Sequence, residues 1–387
     1  MIHRTKILTP EETRLIEGDA FRAVLADISE NGSGQAKDAA KACVSCPCSP
    51  EDCLFFDIET TGLSADTSFI FLIGAICFND NTWILHQFLI QTVQEESLLL
   101  SSFFELTGHC QILVHFNGNT FDLPFIRKRA AANGRTAPFE GLFSLDLYQH
   151  VRPLKQILSL PHMNQSYLEK YIGWEREDHL NGKEVVSLFW SYSSAKDPET
   201  EQLLLCHNHD DLLGMIRIPA LEGYFALLKG PIQSNTLRVC ESDDLSCLLF
   251  RFSTILPIPH PFEFFRNDSF RLQADKNSGR ISVPIYSGTL RYYFPDYKNY
   301  YYLPVEKQVI HKSVGSYVAK EFRTSASPEN CFAARTGRFL PQPEILFTPA
   351  FRKEYRSKEL FFEYTESFCE QKENAANYVR RLLSSLL

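Results

Sequence analysis

Residues 55–63, FFDIETTGL, decide how the rest of the chain is read. An apolar run that begins at Cys53 carries Asp57 and Glu59 near its end, and TTGL then turns the chain. Side chains alternate along a strand, so acids two residues apart project from the same face. Two carboxylates on one face repel unless a cation lies between them, which makes the pair a candidate metal site. Taken alone, the pattern is equally that of two solvated acids at a strand edge.

Outward from this stretch, FIFLIGAICF (69–78) and WILHQFLI (83–90) are rich in Phe and Ile and separated by the turn-forming NDNT. With the first run they predict an antiparallel three-strand meander. A helix over 95–107, a buried strand ILVHFN (112–117), a helix from near Phe121 and a fifth strand near LFSLDLY (142–148) follow. Helical patterns then dominate to residue 228, with Pro219 expected to kink or end the last of them. This order predicts an α/β domain over 51–230, a mixed five-stranded sheet flanked by helices.

Before it, residues 1–50 hold a short helical pattern and the small polar run NGSGQAKDAAKA, read as an N-terminal extension and linker. After it, residues 235–387 change to short strand-like runs, a helical HKSVGSYVAKEFR, a Pro-rich FLPQPEILFTP and a terminal helix. They predict a smaller β-rich α+β accessory domain.

The composition fits two globular domains, with 387 residues of which 44% are hydrophobic. The formal charge of −8 is unevenly spread. From residue 235 onward there are 21 Lys and Arg against 17 Asp and Glu, and the remainder has 18 against 30. An acidic half suits cations and a basic half suits phosphates. There is no apolar run of the roughly 18 residues that would span a bilayer, and the first residues lack the apolar centre of a signal peptide. No membrane association and a cytoplasmic location are therefore expected. The 11 cysteines, an odd number, read as reduced thiols. Cys43, Cys46, Cys48 and Cys53 supply enough sulfur for a zinc ion, but their spacing contains only one CxxC pair, and a Cys-containing linker is the plainer reading. Trp174 and Trp190 are read as core.

Two further acids stand in comparable settings. In HFNGNTFDLPFI, Asp122 falls where a buried strand passes through a polar turn into a helix, and Asn117 and Gly118 permit a tight path. An acid there also simply suits the helix dipole. In HNHDDLLGM, His207 and Asp211 are four positions apart on a helix and share a face, as they would on any polar helix surface. A zinc hydrolase built on His207 and His209 is disfavoured, because side chains two apart on a helix do not face the same way.

The order and spacing of these three segments resemble the DEDD exonuclease superfamily of ribonuclease H-like proteins. DIETTGL resembles its first motif, NxxxFDLPFI its second and HNxxDLL its third, the second being most similar to the exonuclease domains of B-family DNA polymerases. Segments such as SLDLYQHVRPLK, YLEKYIGWEREDHLNGKEVVSLFW and IHKSVGSYV make the whole chain resemble the YprB-like ribonuclease H-like proteins. The resemblance implies two magnesium or manganese ions held by Asp57, Glu59, Asp122 and Asp211, with Thr60, Asn117 and Phe121 against the substrate. It implies 3′-to-5′ exonucleolytic hydrolysis of DNA or RNA, single-stranded or frayed, by in-line attack at phosphorus. Asp211 is preferred to its neighbour Asp210 because DLL aligns with the motif. The superfamily's third motif carries Tyr four positions before the last Asp or His five before it. Here His207 stands at the tyrosine-type spacing and is expected to be the base that orients and deprotonates water. A reading from another class is a catalytically idle nucleic-acid-binding or scaffold module that keeps the fold. The cations and tyrosines of RYYFPDYKNYYYLP (291–304) suit either a single-strand binding surface or a β-hairpin with buried rings.

Overall fold

The computed structural model describes residues 1–31, 48–266 and 269–386. Within them the chain forms two compact units, Met1–Tyr224 with Ile258–His260, and Phe225–Pro257 with Pro261–Leu387.

The first unit is built on one mixed sheet. Its strands are β1 (Ile2–Ile7), β2 (Cys53–Thr60), β3 (Ile70–Asn79), β4 (Thr82–Leu89), β5 (Ile112–His115) and β6 (Phe143–Asp146), in the order β1-β4-β3-β2-β5-β6. The meander pairs antiparallel, whereas β2–β5 and β5–β6 pair parallel. Helices α1 (Pro10–Glu17), α2 (Asp19–Asn31), α3 (Glu96–Thr107), α4 (Asp122–Ala132), α5 (Leu147–Val151), α6 (Leu154–Ile157), α7 (Gln165–Tyr171), α8 (Gly182–Ala195) and α9 (Pro198–Met215) flank it.

The expected α/β architecture is present, with six strands rather than five. The added strand comes from the segment read as an extension: β1 pairs antiparallel with β4, Ile2 opposite Leu89. Five of its six residues are exposed, so it lacks the apolar signal that marks the inner strands, and only a partner strand distant in sequence, Ile7 opposite Ile84, defines it. The helical pattern that follows becomes α1 and α2. Thr9 caps α1, its hydroxyl accepting from Glu12 N while the Glu12 carboxylate accepts from Thr9 N at 2.6 Å. Cys43 and Cys46 lie outside the described residues; Cys53 is buried at the start of β2, and Cys48 is partly exposed.

Residues on both faces of β2 and β3 are buried, which is why those strands read as nearly continuous apolar runs. Leu54, Phe56, Leu72, Leu99, Phe103, Ile126 and Phe189 belong to one core cluster. The long helical pattern expected through residue 228 is broken: α9 ends at Met215, a 3-10 turn contains Pro219, and α10 (Glu222–Lys229) follows. Trp190 is 48% exposed, contrary to its reading as core. No described helix is long and apolar enough to cross a membrane.

The second unit carries three small sheets. One joins β7 (Arg238–Glu241), β8 (Cys247–Arg266) and β9 (Phe270–Pro284). A second joins β10 (Tyr286–Tyr293), β14 (Phe332–Gln342) and β15 (Leu360–Glu363), and the third joins β11 (Tyr300–Leu303), β12 (Gln308–His311) and β13 (Thr324–Ser325). Between and after the strands lie α11 (Lys312–Gly315), α12 (Glu366–Glu370) and α13 (Lys372–Ser384). Residues 291–304 do not fold back on themselves: β10 pairs with β14, whereas β11, with Tyr300, Tyr301 and Tyr302 half-buried, forms a hairpin with β12 and also pairs with β13.

Candidate active site

The site lies where β2, the N-terminus of α4 and the middle of α9 meet. Strand β2 presents Asp57 and Glu59, between which Ile58 turns into the core. Asp122 opens α4 and is buried, and the backbone at Ile58 on β2 and at Asp122 itself favours its charged form.

The turn that delivers Asp122 is fixed by a buried polar chain. His115 Nδ1 accepts from Gly118 N at 3.0 Å, which leaves the ring proton on Nε2 to donate to Ser144 Oγ at 2.8 Å. That hydroxyl donates to Asn119 Oδ1 at 2.6 Å. Burial holds His115 down to about 3, so the ring stays neutral. A Cβ on Gly118 would meet the His115 ring at 2.6 Å, so glycine is required there. Asp146 at the end of β6 accepts from Asn117 N at 2.8 Å and Asn119 N at 3.3 Å, and Asn117 takes a left-handed conformation, φ +62°.

Helix α9 supplies His207 and Asp211. His207 Nε2 stands 3.3 Å from Asp211 Oδ2 and 3.4 Å from Glu59 Oε1. Glu59, His207 and Asp211 form a group able to hold a metal ion, with one donor atom from each inside 4.8 Å. Asn208, fully buried one residue further along, directs Nδ2 to Asp57 Oδ2 at 3.4 Å while its Oδ1 accepts from Gln87 Nε2 at 3.0 Å. The neighbouring acid faces elsewhere: Asp210 Oδ2 accepts from Asp178 N at 2.8 Å. His209 also points away, its Nε2 2.9 Å from Lys6 Nζ.

Crowding of these acids raises their affinity for protons. Asp57 is held well above the usual carboxylate range by burial and then by the charges of Asp211, Glu59 and Asp122. Burial, opposed by the nearby His207 and reinforced by Asp211 and Asp122, pushes Glu59 up to about 8. Asp122 rises to about 7, chiefly through burial. Oxygen donors held in this state take up a hard divalent cation readily, so the residues present fit magnesium or manganese.

Sequence reasoning missed the residues that support this cluster. Arg176 donates to Asp211 Oδ1 at 2.8 Å and, through Nε and Nη2, to both oxygens of the buried Glu169 at 2.5 and 2.9 Å. Asp178 accepts from His207 Nδ1. Both lie in WEREDHL, a loop whose charged residues have no periodicity to distinguish them from solvated ones. Of the residues expected at the substrate, Thr60 ends β2 and donates to Gly62 O at 2.9 Å, Asn117 Oδ1 accepts from Thr120, and Phe121 packs on Phe125 at the start of α4.

The mixed sheet thus carries acids on a central strand and on the helices beside it. The family model of the RNase_H superfamily matches residues 54–221. That segment is a ribonuclease H superfamily domain. No curated protein matches the chain. Among solved structures, the family B DNA polymerase of the hyperthermophilic archaeon Pyrobaculum calidifontis is similar at 17% identity, over 46% of this chain and 25% of that one, with a TM-score of 0.35. Exonuclease I, and an SSB/exonuclease I structure in complex with the inhibitor CFAM, are each similar at 13% identity, over 52% of this chain and 55% of theirs, with a TM-score of 0.30. The chain thus spans between a quarter and about half of the length of these structures. Within the ribonuclease H superfamily domain, Asp57 and Glu59 stand on β2, next to β5 at the middle of the sheet.

Proposed function

We propose that the chain is a metal-dependent nuclease that hydrolyses phosphodiester bonds of DNA or RNA, acting as a 3′-to-5′ exonuclease on single-stranded or frayed ends. The observation that carries this reading is the convergence of Asp57, Glu59, Asp122 and Asp211 from one strand and two helices, at a point where burial and mutual repulsion raise the proton affinity of Asp57, Glu59 and Asp122. Such an arrangement is unfavourable in a purely structural role, because Arg176 and His207 offset the charge only in part and the acids' proton affinity stays raised.

The four carboxylates are the residues that would hold magnesium or manganese, in the two-ion arrangement that the motifs imply. Bound there, the cations supply Lewis acidity toward phosphorus and its attacking and leaving oxygens. The chain's own residues do the positioning. Arg176 orients Asp211, and Asn208 orients Asp57. Thr60, Asn117 and Phe121 stand at the ends of the elements that carry the acids, where a nucleotide terminus would enter.

The test is incubation of the full chain with end-labelled single-stranded DNA and RNA under magnesium, manganese or chelator. Metal-dependent ladders that shorten from the 3′ end support the reading. Binding without cleavage under either metal sinks it in favour of an idle nucleic-acid-binding module.

A further inference from the structure

The imidazole of His207 is held by a carboxylate on one side and faces two on the other. Its Nδ1 is hydrogen-bonded to Asp178 Oδ2. A carboxylate accepts, so the neutral ring carries its proton on Nδ1 and presents a lone pair at Nε2. Asp178 is itself fixed: its Oδ1 accepts from Leu180 N at 3.1 Å, and its own amide donates to Asp210 Oδ2 at 2.8 Å. Side-chain exposure of 6% for Asp178 and 9% for His207 leaves little room for the pair to rearrange.

Nε2 lies 3.4 Å from Glu59 Oε1 and 3.3 Å from Asp211 Oδ2. With the ring neutral, Nε2 and the two carboxylate oxygens need a positive centre among them, a proton on Nε2 or a metal ion in its place. Metal bonds of about 2.1 Å set neighbouring donors about 3.0 Å apart at right angles and about 3.4 Å apart at the tetrahedral angle. The observed separations fall in that range. A water shared by the imidazole and a carboxylate, as a base at this point requires, needs two hydrogen bonds of about 2.8 Å and so an outer separation of about 4.6 Å. The spacing is too short for that water and right for a common ion. Arg176 occupies Asp211 Oδ1 at 2.8 Å, which leaves Oδ2, the oxygen nearer His207, for the ion.

We infer that His207 is a metal ligand positioned by Asp178, forming a carboxylate–histidine–metal arm with Glu59 and Asp211, and that its nitrogen makes the site prefer Mn2+ to Mg2+. This rests on the nuclease reading only in placing the metal at these carboxylates, and it replaces the part of base that the motif spacing gives His207. Nitrogen donors favour first-row transition ions, whereas magnesium keeps to oxygen. A supporting carboxylate on the far ring nitrogen fixes the tautomer and strengthens the ligand.

The experiment is Mn2+ binding to the metal-stripped full chain, followed by electron paramagnetic resonance, with Mg2+ as competitor. Pulsed spectra of protein carrying 14N- or 15N-histidine report whether a ring nitrogen is coordinated. Expected are a nitrogen coupling in the wild type, its loss in His207→Gln with a rise of about 10- to 100-fold in the Mn2+ Kd, and a rise of about tenfold in Asp178→Asn with the coupling retained. Competition by Mg2+ should strengthen in His207→Gln. Bound Mn2+ without nitrogen coupling, or a coupling that persists in His207→Gln, overturns the inference and leaves the carboxylate site and the nuclease reading standing. Failure of the wild type to bind Mn2+ at all overturns both. The isotope comparison is made on the wild type, so it decides the question even where His207→Gln does not fold.

Discussion

Asp57 on β2 lies in register with Gly74 on β3, and the missing side chain at Gly74 is what lets α9 approach the acid. A Cβ built on Gly74 would stand 2.0 Å from Asn208 Oδ1 and 2.6 Å from Leu212 Cδ1. Asn208 cannot swing aside without losing its hydrogen bonds to Gln87 and Asp57.

Gly74→Ala should therefore displace α9 from the sheet. Overpacking at a buried helix–sheet contact costs about 1–3 kcal/mol, and the displacement moves His207 and Asp211 away from Glu59. The expected result is a lower melting temperature together with at least a tenfold loss of metal-dependent cleavage. A variant with wild-type melting and wild-type turnover would show that the approach at Gly74 does not position the site.

For the acids themselves the effects on stability and on activity have opposite signs. Asp57→Asn or Glu59→Gln removes a charge from a crowded cluster, so the metal-free protein should gain on the order of 1 kcal/mol, seen as a melting temperature a few degrees higher. Cleavage should fall to background, and the rise in melting temperature that Mg2+ or Mn2+ produces in the wild type should shrink. Thermal melts with chelator and with metal, run beside a cleavage assay, check all three. Unchanged cleavage by the double variant in a preparation free of contaminating nuclease removes both acids from the site.

Stability should also depend on pH through His115. Its folded-state value is about 3, well below the ordinary histidine value of about 6.5 that applies in the unfolded chain. Between these values the ring binds more protons in the unfolded state than in the folded one, so its contribution to stability rises with pH and is lost as pH falls through the window, against the opposite slope of Glu59 and Asp122, whose raised values make the folded state the better proton binder there. At full extent the contribution is on the order of 5 kcal/mol. Urea unfolding between pH 7 and pH 4 measures the slope. His115→Gln should remove the positive component and make the net slope more negative than in the wild type; an unchanged slope in that variant would show that His115 does not carry it.

The sequence by itself determined the elements that carry the chemistry. Strands β2 to β5 are apolar runs bounded by turn residues, and α4 and α9 follow from helical spacing. Asp57 and Glu59 were legible as a pair because strand alternation is local, and His207 with Asp211 because helical periodicity is. Choosing Asp211 over Asp210 needed the motif, since adjacent residues on one helix differ only in what lies across from them.

What only the tertiary structure decided are the partners supplied by other segments. Strand β1 exists because β4 offers it an edge, and five exposed residues gave it no apolar signature. Gln87, Asn208, Glu169, Arg176 and Asp178 are polar residues whose local sequence looks like any solvated stretch, yet they orient the acids through bonds spanning up to 151 positions. Above all, the part played by His207 turns on whether an ion or a water fits between Nε2 and the carboxylates. That is a distance between β2 and α9, set by the absence of a side chain at Gly74, and spacing within either segment carries no information about it.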